Sequence, residues 1–143
     1  MINIREITNS DYNDVKRVGL RYAKETLVGE LTEEQLFVIL SNCVSRGIVY
    51  VAEVDSRVVG VIAGRLIDEL SVGRICEEVI WYVEPENRGL GLLLFKKFMI
   101  ACKKSNCVGV AMVAYKNEHF NLVDKFYKKN GFEEVETKYF KKI

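Results

Sequence analysis

Apolar residues recur along the chain with two different spacings, and these spacings predict its strands and helices. Runs rich in β-branched and aromatic residues are typical of strands, whereas apolar residues three and four positions apart are typical of helices. The strand patterns cover residues 2–7, 47–54, 58–66, 74–83, 108–114 and 132–140. The helical patterns cover about residues 32–43, 92–104 and 119–129, and an earlier helix, capped by Asn9, Ser10 or Asp11, carries apolar residues as far as Ala23. The predicted order is therefore β-α-α-β-β-β-α-β-α-β, an α/β (α+β) fold.

Turn and capping residues mark several of the predicted boundaries. Thr32 and Gln35 have the spacing of a capping box, which predicts the start of the second helix after a loop at about 25–31. The polar residues 55–57 favour a hairpin between the second and third strands. The unbroken apolar run at 108–114 is typical of a buried strand, and we expect it to lie parallel to the strand at 74–83 through a right-handed crossover.

The junction between the strand at 74–83 and the following helix is the part of the chain most suggestive of chemistry. It contains the only proline, Pro85, followed by Arg88, Gly89 and Gly91. A glycine-bearing turn that enters a helix favours an anion, because the first turn of a helix has unpaired N–H groups and a partial positive charge. We expect the Arg88 guanidinium to add a fork for phosphate oxygens. Since the dinucleotide and P-loop fingerprints are both absent, chemistry alone leaves a pyrophosphate site and an ordinary strand–turn–helix joint open.

The composition limits the class of protein but does not indicate a reaction. The 143 residues predict one domain, 1–143, and the net charge of +1 gives no chain-wide signature of nucleic-acid binding. Four cysteines without a C-x-x-C pair and one histidine do not make a usual zinc set, so we expect reduced thiols in a cytoplasmic protein and no metal. The apolar runs are shorter than a membrane span, and the N-terminus has no signal-peptide pattern.

Two motifs in this element order resemble the GNAT superfamily of acetyl-CoA-dependent N-acetyltransferases. The first is Arg88-Gly89-Leu90-Gly91, which matches the family signature at the start of the helix after its fourth strand. The second is Tyr127 ahead of the pair Gly131-Phe132. The resemblance covers essentially the whole chain. It implies a mixed, mostly antiparallel sheet of six to seven strands with helices on both faces.

The resemblance also implies a reaction, in which an acetyl group passes directly from acetyl-CoA to a primary amine through a tetrahedral intermediate. Tyr127 matches the general acid that protonates the CoA thiolate, and Glu77 matches a general base, with Glu78 or a water as the alternatives. The amine, from a small molecule or a peptide, would enter past residues 25–31 and 68–73, and a homodimer is compatible with the family. The implied cofactor contacts are Trp81, Tyr82, Val83, Arg88, Gly89, Leu90, Gly91, Leu92, Leu93 and Asn117.

The chain departs from the family pattern at two positions. Leu93 stands where glycine or alanine is expected in the first turn of the helix, and Phe120 stands where many members have an asparagine, with Asn117 and Asn121 nearby. The departure at Leu93 supports an alternative function, a GNAT-fold binding or structural module with weak or no CoA binding and no catalysis. Acetyl-CoA binding discriminates between the two hypotheses.

Overall fold

A computed structural model describes residues 1–26 and 29–143, and it contains two compact units, Met1–Val113 and Ala114–Ile143. The first unit contains β1 (Ile2–Glu6), α1 (Tyr12–Thr26), α2 (Glu33–Arg46), β2 (Gly47–Val54), β3 (Arg57–Glu69), β4 (Gly73–Val83), α3 (Gly91–Lys104) and β5 (Gly109–Ala111), and the second contains α4 (Phe120–Lys129). The predicted element order is thus confirmed from β1 to α4. Two residues of the predicted loop at 25–31, 27 and 28, lie outside the described residues.

The five strands form one sheet in the order β1-β2-β3-β4-β5. The pairs from β1 to β4 are antiparallel, whereas β5 is parallel to β4, as the crossover through α3 requires. The predicted capping box of α2 is present, since Thr32 and Gln35 each bond the other's backbone N–H.

Apolar side chains cover both faces of this sheet and form two separate cores. One core packs α1 and α2 against the sheet through residues such as Val18, Leu36 and Val61. The other packs α3 against the opposite face through residues such as Ile62, Leu94 and Phe98. Helices therefore lie on both faces, as predicted. Because helices pack on both faces of the sheet, the C-terminal end of β4, where the next turn begins, has a fixed position.

A β-bulge in β4 reverses which residues face each core. Ala63 pairs with Ile80 and Gly64 pairs with Glu78, so Val79 is an extra residue on β4. Before the bulge, Cys76 faces α3; after the bulge, Tyr82 faces α1 and α2. The regular alternation expected from sequence therefore fails across this strand.

The second unit has its own local order around α4. Asn117 accepts a bond from the His119 N–H through its side chain (2.9 Å) and from the Phe120 N–H through its carbonyl (3.1 Å), so it shapes the start of the helix. Gly131 has a positive φ of 88° after the last turn, as the predicted Asn-Gly stop requires. The buried Tyr127 ring packs near Phe126 and Phe132, at centroid distances of 6.0 and 5.5 Å.

The predicted strand count of six to seven is wrong for the residues described, because the sheet has five strands. The run at 108–114 forms a strand only at Gly109–Ala111, and residues 132–140 form none. Val135, Tyr139 and Phe140 are exposed. An alternating pattern gives a strand only where a neighbouring strand supplies the ladder and a surface to pack on, so the pattern at 132–140 is not sufficient by itself.

Candidate cofactor and amine site

The turn after β4 continues the sheet ladder and then enters α3 without a gap. The Glu84 N–H donates to the Val59 carbonyl (2.9 Å), and the Asn87 N–H donates to the Glu84 carbonyl (2.8 Å). Residues Pro85–Leu90 form a 3₁₀ segment with a kink at Asn87, and α3 follows at Gly91. The N-terminal amides of α3 are thus presented directly beyond the sheet edge.

Neither glycine of this turn is required by the packing of the described residues. A Cβ built on Gly89 meets no atom within 4 Å, and one built on Gly91 has its nearest neighbour at 3.8 Å, in the Trp81 ring. Neither glycine has a positive φ. A side chain would therefore fit at either position, and its absence allows an anion such as a pyrophosphate to approach the helix N-terminus closely.

The Arg88 side chain is engaged with α1 and β4. Its Nη2 donates to Glu25 Oε2 (3.3 Å), and its guanidinium lies 5.0 Å from the centroid of the Tyr82 ring. The predicted phosphate fork is therefore paired with a carboxylate in this structure. With Arg88 paired, the groups that this position could offer an anion are backbone amides.

The end of β4 is fixed on both faces of the sheet. Tyr82 is buried on the α1 face, and its hydroxyl donates to Glu25 Oε2 (2.7 Å). Burial and this carboxylate raise the pKa of Tyr82 to about 12. On the other face, the Trp81 indole N–H donates to the Gly91 carbonyl (3.2 Å), which ties the strand to the first residue of α3.

The leucines at positions 90, 92 and 93 differ in their exposure. Leu90 is buried in the core under α3, whereas Leu92 and Leu93 are 44% and 42% exposed. Leu93 is the third residue of α3 and therefore belongs to its first turn. Its side chain stands partly in solvent beside that turn.

The parallel ladder between β4 and β5 ends where two adjacent glutamates lie. The last pair is Glu77 with Ala111, and Glu78 comes directly before the bulge. The Glu78 carboxyl accepts a hydrogen bond from the Val113 backbone. It is only 6% exposed, and burial raises its pKa to about 8, with a further contribution from the charge of Glu77.

Glu77 occupies a different environment from its neighbour. Its Oε1 accepts two bonds from the Arg65 guanidinium, from Nη2 at 2.6 Å and from Nε at 3.1 Å. The Glu77 side chain is 30% exposed and that of Arg65 is 56% exposed. The residue favoured from sequence as the base is thus an ion-paired surface carboxylate, and its neighbour is the buried one.

The remaining sequence-based candidates, Tyr127 and Asn117, lie in the second unit, where Tyr127 is a buried residue of α4 and Asn117 shapes the start of that helix.

A cluster of charges that was not predicted from sequence lies between α1 and the turn after β4. Glu84 is buried, and its two carboxylate oxygens accept from Arg17 and Arg21, both at 2.9 Å. Arg17 and Arg21 are four residues apart and therefore lie on one helix face, which is the sign of this cluster in the sequence. Their partner lies more than sixty positions away, since the contacts join residues separated by 67 and 63 positions.

Comparison with known families now identifies the class of protein. The sequence model of the acetyltransferase (GNAT) domain matches residues 45–134. The chain belongs to the GNAT acetyltransferase family. No match was found among curated proteins.

Solved structures of acetyltransferases share the GNAT fold of this chain. A possible acetyltransferase from Clostridium difficile 630 is 24% identical (TM-score 0.75; coverage 100% of this chain and 98% of the other). A predicted acetyltransferase from Clostridium acetobutylicum, crystallised with acetyl-CoA, is 20% identical (0.79; 99% and 96%). Ribosomal-protein-alanine N-acetyltransferase from Brucella melitensis biovar Abortus 2308 is 16% identical (0.79; 99% and 99%). At these identities the likeness is one of fold.

The described residues contain neither a membrane-spanning helix nor a cluster of metal-binding side chains. No helix there is long and apolar enough to cross a bilayer. No group of three or more potential metal-binding side chains comes together within the same residues.

Proposed function

We propose that this GNAT-family chain transfers the acetyl group of acetyl-CoA to a primary amine of a small molecule or peptide by direct attack. One observation carries the proposal: the β4–β5 ladder ends at Glu77 and Ala111, and the same strand then leads to a helix start with open glycine positions. Beyond the end of that ladder, β4 runs on to the first turn of α3, and the amides of a first helical turn suit a ligand that carries a pyrophosphate.

The residues of the turn fit the phosphate groups of acetyl-CoA. The backbone amides from Arg88 to Leu93 would hold the pyrophosphate, and the backbone of Trp81 to Val83 would pair with the pantetheine arm. Bound acetyl-CoA supplies a thioester with an electrophilic carbonyl. A β4 N–H directed at that carbonyl oxygen would stabilise the negative charge that develops during attack.

Glu78 is the best-supported base on physical grounds. An ammonium must lose a proton before it attacks, and a base works best when its pKa lies near the working pH. The Glu78 carboxyl has a pKa of about 8 because it is buried, whereas Glu77 is paired with Arg65. Glu78 would accept the proton directly or through a water, and Tyr127 would protonate the departing thiolate, as the family motif implies.

A thermal-shift titration with acetyl-CoA tests the proposal, with CoA and ATP as controls. A ligand at 100 times its Kd stabilises the folded state by about 2.7 kcal/mol, which is roughly a 2–4 °C rise in Tm, or somewhat more, for a chain of this size. We expect a saturable rise with acetyl-CoA and none with ATP. No rise at millimolar acetyl-CoA would contradict the proposal.

Leu93 favours a second candidate function, a GNAT-fold module that binds CoA weakly and does not catalyse. Its half-exposed side chain stands in the helix turn where the family has glycine or alanine. If it narrows the phosphate site, Leu93→Ala should tighten acetyl-CoA binding about threefold to tenfold, since each tenfold corresponds to about 1.4 kcal/mol. Isothermal titration calorimetry measures the change.

Ile100→Ala is the matched control for this substitution. Ile100 is an exposed apolar residue of the same helix, 51% exposed, and lies outside the turn. Its replacement should leave the Kd unchanged. Equal Kd values for the wild type and Leu93→Ala would mean that Leu93 does not restrict the site, and the second candidate would then lose its support.

A further inference from the structure

Glu84 is a buried carboxylate that joins α1 to the start of the turn after β4. Its side chain is 6% exposed and accepts from Arg17 Nη2 and Arg21 Nη1, both at 2.9 Å. Removing such a group from water is costly unless charged partners surround it. The arginines hold the pKa of Glu84 below its usual value despite burial, so the carboxylate is charged.

The network around Glu84 is anchored at several independent points. Arg17 also donates to the Val58 carbonyl (2.6 Å) and to Asp14 (2.6 Å), and Asp14 accepts from the Val58 N–H (2.9 Å). The arginine that holds Glu84 is therefore itself fixed to β3. This leaves Glu84 little freedom to move along or across the sheet.

The backbone of Glu84 is fixed as well, and the turn begins at this residue. Its N–H pairs with Val59 and its carbonyl accepts from Asn87. Pro85, with its constrained φ, comes next. The position and direction of the segment from Pro85 to Leu90 therefore follow from how Glu84 is held.

We propose that Glu84 is a positioning residue for acetyl-CoA binding: clamped by Arg17 and Arg21, it sets the placement of the amides that receive the pyrophosphate. The inference rests on the proposed function, and it assigns Glu84 no contact with the ligand. The amides of Gly89 to Leu93 follow Glu84 by only a few residues. Weakening the ion pairs of Glu84 with the two arginines would therefore displace these amides. Misplaced amides meet the phosphate oxygens at poorer distances and angles.

Substitution of Glu84 separates positioning from simple electrostatics, because the two make opposite predictions. Glu84→Gln removes a negative charge close to the proposed phosphate site. If only the local field mattered, a polyanionic ligand would bind more tightly. If Glu84 positions the turn, acetyl-CoA binds more weakly even though the site has become more positive.

The experiment measures the Kd of acetyl-CoA by calorimetry at a temperature where every variant is folded. We expect Glu84→Gln to weaken binding about tenfold, which corresponds to about 1.4 kcal/mol. Asp11→Asn is the matched control, since Asp11 is also buried and accepts from Arg5 Nη1 at 2.8 Å and Nη2 at 2.9 Å. The partners of Asp11 lie in β1 and the segment before α1, so Asp11→Asn should lower Tm without changing the Kd.

Glu84→Asp provides a second variant that keeps the charge. Its shorter side chain does not reach both arginines, so acetyl-CoA binding should weaken severalfold. If Glu84→Gln does not fold, Glu84→Asp alone tests the inference. Unchanged or tighter binding in both folded variants would overturn the inference, as would an equal loss in Asp11→Asn. Failure of the wild type to bind acetyl-CoA would instead contradict the proposed function.

Discussion

Glu78→Gln should lower kcat/KM for acetyl transfer by about 10²- to 10⁴-fold, the usual contribution of a general base. Glutamine has nearly the same shape and still accepts a hydrogen bond from the Val113 backbone, so the strand edge should be retained. What the variant loses is a carboxylate that accepts the ammonium proton. Steady-state kinetics over a range of pH measures the effect.

The pH profile provides a second readout on the same substitution. Burial raises the pKa of Glu78 to about 8, so wild-type kcat/KM should rise with pH and level off above about 8 as the carboxylate forms. Glu78→Gln should lack this rise. Glu77→Gln is the control, since it removes the neighbouring surface carboxylate paired with Arg65. A large loss in Glu77→Gln and a small one in Glu78→Gln would reverse the assignment.

The thermal stability of the protein should also depend on Glu78, and this dependence can be measured without the amine substrate. The folded-state pKa of about 8 lies above the usual value of 4.5, so the folded state binds the proton more tightly than the unfolded state between these pH values. Wild-type stability should therefore fall as pH rises through this window and level off above it. The Tm of Glu78→Gln minus that of wild type should grow over the same window, as thermal unfolding can measure. A constant difference would mean that Glu78 is not a raised-pKa carboxyl.

Tyr127→Phe should lower kcat by about 10²- to 10⁴-fold, as expected for loss of a general acid. Only the hydroxyl is removed. The ring that packs near Phe126 and Phe132 is kept, so the fold of the second unit and the Kd of acetyl-CoA should change little. A phenol can supply the proton because a CoA thiolate is a competent acceptor near neutral pH.

Tyr139→Phe is the control for the acid assignment. Tyr139 lies in the same unit but is 90% exposed, and its loss should leave turnover unchanged. Single-turnover kinetics would show whether the step slowed in Tyr127→Phe is acetyl transfer. Wild-type turnover in Tyr127→Phe would remove Tyr127 from the mechanism and leave a water as the proton donor.

The turn after β4 shows how much of the site can be predicted from the local sequence. Pro85, Gly89 and Gly91, together with the apolar pattern of α3, predict a strand, a turn and a helix start, and the structure has all three. Each of these features depends on backbone preferences within about ten residues. The same holds for the capping box at Thr32 and the Asn-Gly stop after α4.

The two adjacent glutamates show where local pattern fails. Regular alternation predicts only that Glu77 and Glu78 face opposite sides of the sheet, not which of them is buried. That choice depends on where the β4–β5 ladder ends and on the contact with Val113, which follows the end of β5. The failed strand at 132–140 has the same origin, because a strand needs a partner that its own residues do not specify.

The sequence by itself determined the order of elements, the family and the location of the proposed phosphate turn, because these follow from short-range backbone preferences and from motifs read along the chain. The tertiary structure alone decided that Glu78 is buried, that Arg88 is paired with Glu25, and that Glu84 is clamped by α1. The burial of Glu78 and the ion pairs of Arg88 and Glu84 all depend on neighbours tens of residues away along the chain. Burial and pairing are properties of the folded surface around a group, and no local pattern encodes them.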